Sequence, residues 1–191
     1  TQPQMVYSIA SNSLVFWGLL LAELGLVWFI SARIMSLSVT TAGVLFAIYA
    51  LLNGVTFSFI FLVYTASSIA QTFFISAGVF AAMGLVGLFI KRDLSMFGRI
   101  FYMALIGLII ASVANWFFKN DMLMSICNYL GVIIFTGLTA YDTQKIKNLL
   151  LSVGGADNEM GLRISLLGSL TLYLDFVNLF LYLLRIFGRR R

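Results

Sequence analysis

The stretch ISLLGSLTLYLDFVNLFLYLLR, Ile164–Arg185, is almost wholly apolar and carries an aspartate, Asp175, near its middle. A membrane-spanning helix needs about 20 residues at a rise of about 1.5 Å each, so this stretch is long enough to cross a bilayer. At helical spacing one face collects the small and polar side chains, namely Gly168, Thr171, Asp175, Asn178 and Tyr182. A carboxylate at the bilayer centre costs at least about 2.5 kcal/mol. The sequence therefore predicts that this face contacts other helices, water or an ion.

The composition indicates a polytopic membrane protein. Of 191 residues, 61% are hydrophobic and 10% are charged, and the mean hydropathy is +1.02. Soluble domains are about 45–50% apolar and about 25% charged. We therefore predict an all-α membrane helix bundle that forms a single transmembrane domain over residues 1–191.

The remaining bulk features exclude several classes of function. The net charge of +5 comes from basic residues in short loops and the tail, where they set topology, so we expect no nucleic-acid partner. The single cysteine, Cys127, excludes an internal disulfide. The lack of histidine removes the usual metal ligand and the usual physiological-pH switch.

Hydropathy predicts six membrane spans, and the stretch described first is the last of them. Gly78 and Ala82 in the third span have the small-xxx-small spacing that suits close helix packing. The predicted spans are 14–32, 39–64, 72–90, 100–118, 124–141 and 164–185.

Loop charge predicts the orientation of these spans. The loops on one side carry seven basic residues and those on the other carry one, Lys119. The positive-inside rule then places the side of Arg33, Lys91 and Lys145 in the cytoplasm. The basic tail lies outside if the last helix fully spans the membrane, and returns inside if that helix is re-entrant.

Three acidic residues lie in or beside the predicted spans, and each has a structural alternative. Glu23 is either a cation site or a buried carboxyl group that is hydrogen-bonded to a neighbouring helix. Asp142 follows Tyr141 at the end of the fifth span and, taken alone, is interpreted as a solvated helix end. Asp175 lies within a span, where ionisable residues usually mark pathways or relays.

Uncharged polar residues in the spans provide a second set of candidates. Thr171, Asn178 and Asn53 are candidates for lining a pore. Asn53 is also interpreted, together with Asn115, Asn128 and Thr136, as an interhelical hydrogen-bonding residue.

The sequence carries no pattern of an enzyme. It contains no HExxH motif, no phosphate-binding loop and no Ser–His or Cys–His pair. Two carboxyl groups without histidine can share a proton or bind a hard cation such as calcium, which takes six to eight oxygen ligands. We expect neither an enzymatic activity nor a cofactor.

Two segments carry a family resemblance, GLTAYDTQKIK at Gly137–Lys147 and LTLYLDFVNLFLYLLRIFG at Leu170–Gly188. Together with the KRDLS turn and the LIGLIIASVANWF run, they resemble the Bax-inhibitor family, specifically a bacterial inner-membrane member. The resemblance implies seven helices with the last one central. Because six are found here, we expect that the first is missing and that the initial residues form an inter-helix loop.

The resemblance also implies a function. It implies a pH-sensitive calcium leak in which Asp142 and Asp175 form a di-aspartyl pH sensor, with both as tentative calcium ligands. Arg33 corresponds to an arginine latch that pairs with Asp142, and Glu23 corresponds to a further cation site. The expected partners are the lipid bilayer, protons and calcium as the permeant ion.

Two other functions stay open at this stage. One is a membrane interaction protein that modulates a quality-control protease or a stress response, and the other is a proton-coupled cation carrier.

The leak also meets a geometric difficulty. Counted from Ile164, Asp175 lies about 16 Å from the cytoplasmic side, whereas Asp142 is expected near that surface. Contact between the two requires a last helix that starts outside the membrane core, or a water-filled vestibule.

Overall fold

The computed structural model describes residues 13–190 and is all-α, which confirms the predicted fold class. Residues 1–12, where the sequence predicts an inter-helix loop, lie outside the described residues. The helices are α1 Ser13–Arg33, α2 Val39–Ser58, α3 Ile60–Val63, α4 Ala66–Phe89, α5 Ser95–Phe118, α6 Asp121–Ser152 and α7 Glu159–Phe187.

Within residues 13–190, five helical stretches are long and apolar enough to cross a membrane: Val39–Val63, Ala66–Phe89, Ser95–Phe118, Asp121–Ser152 and Glu159–Phe187. They correspond to the second through sixth predicted spans, and α1 matches the first predicted span in its bounds. The largest departure is α6, which continues eleven residues beyond the predicted end at Tyr141. Helix α7 begins five residues before Ile164, at Glu159.

Short polar side chains begin several of these helices. Ser38, Thr65, Asn120 and Asn158 each accept a hydrogen bond from a backbone N–H group of the first turn that follows. The turn between α6 and α7 contains Gly154 and Gly155 at φ of 82° and 99°, a left-handed conformation that glycine adopts without strain.

Helix α7 is the centre of the bundle, as the resemblance implies. It packs against α6, α4 and α2. Each of the three hydrophobic clusters contains α7 side chains: Leu179 and Leu183 in the first, Leu170 in the second, Phe180 and Leu184 in the third. The outer helices instead direct large apolar side chains outwards, as lipid contact requires. Examples are Leu51, Phe74, Ile110 and Ile133.

Helix α7 runs the full length of the bundle, and the tail that follows is attached at its far end. The N–H group of Thr65 donates to the carbonyl of Arg189 at 3.1 Å, and the N–H group of Arg189 donates to Ser68 Oγ at 2.9 Å. Arg190 forms an antiparallel bridge with Tyr64. The tail therefore lies at the end that holds the α3–α4 turn, as expected for a spanning last helix.

Candidate functional site

Asp142 is not a solvated helix end. Its side chain is 2% exposed, and α6 continues as far as Ser152. Ten further helical residues separate Asp142 from that end by about 15 Å. The interpretation of Asp142 as a helix terminus is wrong because the helix does not stop where the apolar run stops.

The packing of α6 on α7 brings Asp142 to the level of Asp175. A Cβ atom on Gly168 of α7 would lie 2.9 Å from Ile146 Cγ2, and one on Gly131 of α6 would lie 2.6 Å from the Tyr182 ring. Both contacts show an antiparallel pair in close approach, which small residues permit. The Asp142 and Asp175 carboxyl groups consequently interact with each other.

This pairing resolves the depth difficulty raised by the sequence. Helix α7 starts five residues earlier than predicted, and α6 ends eleven residues later. Asp142 therefore lies well inside the bundle, at a level where it can face Asp175.

Asp175 has an unsatisfied oxygen. The side chain is 5% exposed, and among residues 13–190 no donor reaches its Oδ2 atom. Buried polar atoms normally have a hydrogen-bond partner. A proton shared with Asp142 would supply one, since a protonated carboxyl group donates where an ionised one only accepts.

Tyr102 is a member of the site that sequence reasoning missed. Its hydroxyl group on α5 donates to Asp142 Oδ1 at 3.0 Å and to Oδ2 at 3.2 Å. The Lys145 ammonium group, one turn along α6, also acts electrostatically on Asp142. Tyr102 lies 40 residues from Asp142, so no local pattern could have linked the two.

A small cavity of about 80 Å³ adjoins Asp142. It has room for about two or three water molecules at about 30 Å³ each. Thr171, one of the pore-lining candidates, contributes to its wall. The other lining residues are Tyr102, Asp142, Lys145, Ile146, Leu149, Ile164, Leu167 and Gly168.

Arg33 is not brought to Asp142. Its side chain is exposed, and the one ion pair within residues 13–190 joins Arg163 to Glu159 at 2.6 Å. The Arg163 guanidinium group also donates to the carbonyl of Met35, which ties α7 to the α1–α2 turn. The latch between Arg33 and Asp142 stays a prediction and is not formed in this structure.

Glu23 belongs to a separate hydrogen-bonded network. It is 7% exposed and accepts from Asn53 Nδ2 at 3.1 Å and from the Thr56 hydroxyl group. Asn53 also donates to Tyr49 Oη and accepts from the Tyr173 hydroxyl group, both at 3.3 Å. Helices α1, α2 and α7 are thereby joined, which confirms the hydrogen-bonding interpretation of Glu23 and Asn53.

The other predicted positions contribute no shared metal site. Asn178 donates its amide to the carbonyl of Leu174 in its own helix at 2.8 Å. Within the described residues, no group of three or more Asp, Glu, Cys or His side chains is placed to hold a metal ion. Glu23, Asp142 and Asp175 therefore do not form one cluster.

Comparison with known proteins adds a finding that covers nearly the whole chain. The sequence model of the family described as inhibitor of apoptosis-promoting Bax1 matches residues 4–191. The chain belongs to the Bax inhibitor family. This result confirms the resemblance carried by the YDT and LYLDF segments.

Several bacterial proteins resemble this chain at high identity. The inner membrane protein YbhL of Escherichia coli K12 is 52% identical over 181 residues, which are 95% of this chain and 77% of that protein. A Borreliella burgdorferi protein is 46% identical over 183 residues, or 96% of this chain and 78% of the relative. A membrane protein of Streptococcus pyogenes is 37% identical over 185 residues, or 97% and 79%. With five apolar spans in the described part of the chain, this Bax inhibitor family member is a multi-pass inner-membrane protein.

Proposed function

We propose that this protein is a pH-sensitive cation leak for calcium, gated by the Asp142–Asp175 pair. The observation that carries the proposal is the meeting of two buried carboxyl groups, one from each of the two longest helices. Ionisable groups inside a membrane protein usually mark ion or proton pathways. Family membership supports the same interpretation.

The pair can respond to protons because of its surroundings. Two carboxyl groups that interact titrate as one unit, so a proton is held by the pair. The unsatisfied Asp175 Oδ2 gives that proton an acceptor position, and the Tyr102 hydroxyl group stabilises charge on Asp142. Adding or removing the proton changes the attraction between α6 and α7, which is the proposed gating step.

Calcium is the proposed permeant ion and not a resident cofactor. It takes six to eight oxygen ligands, and Asp142 and Asp175 would provide only part of that shell, with water or backbone carbonyls supplying the rest. Such partial coordination suits passage, because conduction requires binding that is weak enough to release the ion.

Reconstituted flux against pH tests the proposal. Calcium entry into liposomes should rise on acidification for the wild type, and Asp175→Asn should abolish the pH response. Asp157→Asn, in the exposed turn between α6 and α7, is the matched control and should behave as the wild type. An Asp175→Asn protein with an unchanged pH profile would refute the di-aspartyl gate.

The same vesicles test the latch and the carrier alternative. If Arg33 latches Asp142 in a closed state, Arg33→Gln should increase flux at neutral pH, whereas Arg92→Gln, on another exposed cytoplasmic turn, should not. A leak gives flux that does not saturate with calcium and shows no counter-transport. Saturation together with counter-transport would assign the protein to the carriers instead.

A further inference from the structure

A polar cavity of about 560 Å³ lies at the opposite end of the bundle from the α6–α7 turn. It is enclosed by α5, α6, the end of α7, the α3–α4 turn and the tail. Its volume falls within the range of small-molecule sites, about 300–1,000 Å³. The lining residues that matter most are Arg185, Arg190, Asn115, Asn128 and Asp121.

Two arginines, Arg185 and Arg190, line this cavity. Arg185 lies over the Tyr182 ring at 5.2 Å from its centroid, and within residues 13–190 neither Arg185 nor Arg190 forms an ion pair. Asp121 lines the same cavity, yet it does not neutralise them. Arg190 is held in place because the tail pairs with Tyr64 and Thr65.

Two largely buried asparagines, Asn128 and Asn115, also line the cavity. Asn128 is 8% exposed and makes no side-chain hydrogen bond to any residue that the structure describes. Asn115 is 5% exposed, and its Oδ1 atom accepts from the Asn120 N–H group at 3.0 Å, which leaves its Nδ2 donor free towards the cavity. The free amide atoms remain accessible, since the fully buried side-chain atoms without a partner among the described residues are Arg163 Nε and Asp175 Oδ2, so a ligand in the cavity can accept hydrogen bonds from these amides.

The chemistry of these groups selects an anion with several acceptor oxygens. Guanidinium groups bind phosphate by paired charge-assisted hydrogen bonds, and two amide donors add to the same field. A cation is disfavoured because two fixed positive charges face a single aspartate. This cavity is therefore distinct in charge from the Asp142–Asp175 site.

The position of the cavity indicates where the phosphate comes from. Trp116, Phe117 and Phe118 follow Asn115 at the end of α5, and they are 65%, 75% and 77% exposed. Exposed aromatic residues at a helix end are typical of the membrane–water interface, the level of lipid headgroups. We propose that this cavity binds the phosphate group of an anionic phospholipid, with Arg185 and Arg190 as the charged ligands and Asn128 and Asn115 as amide donors.

The experiment uses the purified full chain in a phosphate-free detergent with three probes: dioleoyl phosphatidylglycerol, dioleoylglycerol and inorganic phosphate. Thermal stability against probe concentration gives an affinity, because a ligand that binds the folded state raises the melting temperature. Native mass spectrometry counts the bound lipid. Phosphatidylglycerol should bind and dioleoylglycerol, which lacks the phosphate, should not. Binding of inorganic phosphate with equal affinity would support the site but assign it to a soluble anion.

Substitutions locate the binding. Arg185→Gln and Arg190→Gln should each weaken phosphatidylglycerol binding by about 10-fold or more, as expected for loss of a charge-assisted hydrogen bond. Asn128→Leu keeps the side-chain volume, removes the amide and should also weaken binding. If Arg185→Gln does not fold, Arg190→Gln and Asn128→Leu carry the test. Arg92→Gln is the control and should bind phosphatidylglycerol as the wild type does. The proposal would be overturned if the site variants bound phosphatidylglycerol as tightly as Arg92→Gln does, or if the wild type bound dioleoylglycerol as tightly as phosphatidylglycerol.

Discussion

Replacement of Gly87 by alanine should destabilise the bundle because α4 approaches the backbone of α6 closely at Gly87. Gly87 is buried. An added Cβ atom would lie 2.9 Å from Thr143 Cβ and closer still to the carbonyl oxygen of Ala140. The carbonyl belongs to the backbone of α6, so it cannot move aside as a flexible side chain would.

The structure allows an estimate of the size of the effect. Ordinary van der Waals contact begins at 3.4 Å, so α4 and α6 must separate by roughly 0.5–1 Å, and overpacking of this kind costs about 1–3 kcal/mol. Alanine also gains up to about 1 kcal/mol over glycine in a helix interior. Gly78→Ala in the same helix is the control for this gain in helix propensity, because no described residue lies within 4 Å of its added Cβ atom. The comparison of the two variants therefore isolates the cost of overpacking at Gly87.

The assay compares the apparent melting temperatures of the two variants in one detergent. Both gain the same helix propensity, so the difference between them reports the contact alone. At about 2–4 °C per kcal/mol for a chain of this size, Gly87→Ala should melt about 2–12 °C below Gly78→Ala. Equal melting temperatures would refute the close approach of α4 to Ala140. The structure gives this close contact to Gly87 and not to Gly78, for which the sequence predicts it.

Three further predictions concern groups outside this contact. The Gln144 side chain accepts a hydrogen bond from the Leu94 amide at 2.9 Å, so Gln144→Ala should cost about 1–3 kcal/mol of stability. Hydrogen exchange at the Leu94 amide should accelerate in this variant, and unchanged exchange would contradict the prediction. Asn53→Ala should lower stability by about 1 kcal/mol, measured as a melting-temperature loss, since Asn53 joins three helices; no loss would mean that the network is dispensable. The Ser95 hydroxyl and N–H groups hold the pKa of Asp93 below its ordinary value of 3.8, so Asp93 stabilises the protein above that pH and loses this effect as the pH falls further. Asp93→Asn should therefore have a flatter stability profile below about pH 4 than the wild type, and parallel profiles would contradict this.

The sequence predicts the existence of the helices well and the ends of α6 poorly. The apolar run stops at Tyr141, and the following Lys145 and Lys147 resemble the beginning of a loop. The helix nevertheless continues, because its polar side chains find partners on neighbouring elements. Lys147 Nζ donates to the carbonyl of Leu88 at 2.7 Å, and Gln144 Nε2 donates to that of Arg92 at 2.9 Å. Such partners lie more than 50 residues away in sequence, so local pattern cannot show them.

Some residues of the candidate site could likewise be predicted from the sequence, and others could not. Asp175 was predictable because a carboxylate in an apolar stretch demands a physical explanation, whereas the burial of Asp142 depends on contacts with Tyr102 of α5 and with α7. No feature of the sequence distinguishes Tyr102 from the other aromatic residues of the spans, and only the fold places its hydroxyl group against Asp142. Glu23 was predictable as a buried carboxyl group that is hydrogen-bonded to a neighbouring helix, and its partners Asn53 and Thr56 show that arrangement, whereas its role as a cation site stays a prediction.

The contacts around Asp142 also limit how the proposed gate can move. Helix α6 is fastened to the α4–α5 turn by Gln144, to the end of α4 by Lys147 and against α4 at Gly87. Beside Asp142, by contrast, the α6–α7 interface contains a cavity. We therefore expect α4, α5 and α6 to move as one unit and the Glu159 end of α7 to move relative to it, because the opposite end of α7 is tied to Thr65 and Ser68.

Spin-label distances test this expectation, with Cys127 replaced by serine. Labels at Phe89 and Leu149, both exposed, report α4 against α6. Labels at Leu149 and Met35 report α6 against the turn that Arg163 ties to α7. Acidification should change the second distance and leave the first constant. A change in the first distance would show that the Gln144 and Lys147 hydrogen bonds do not hold α6 to its neighbours, and the moving part would then be α6 itself.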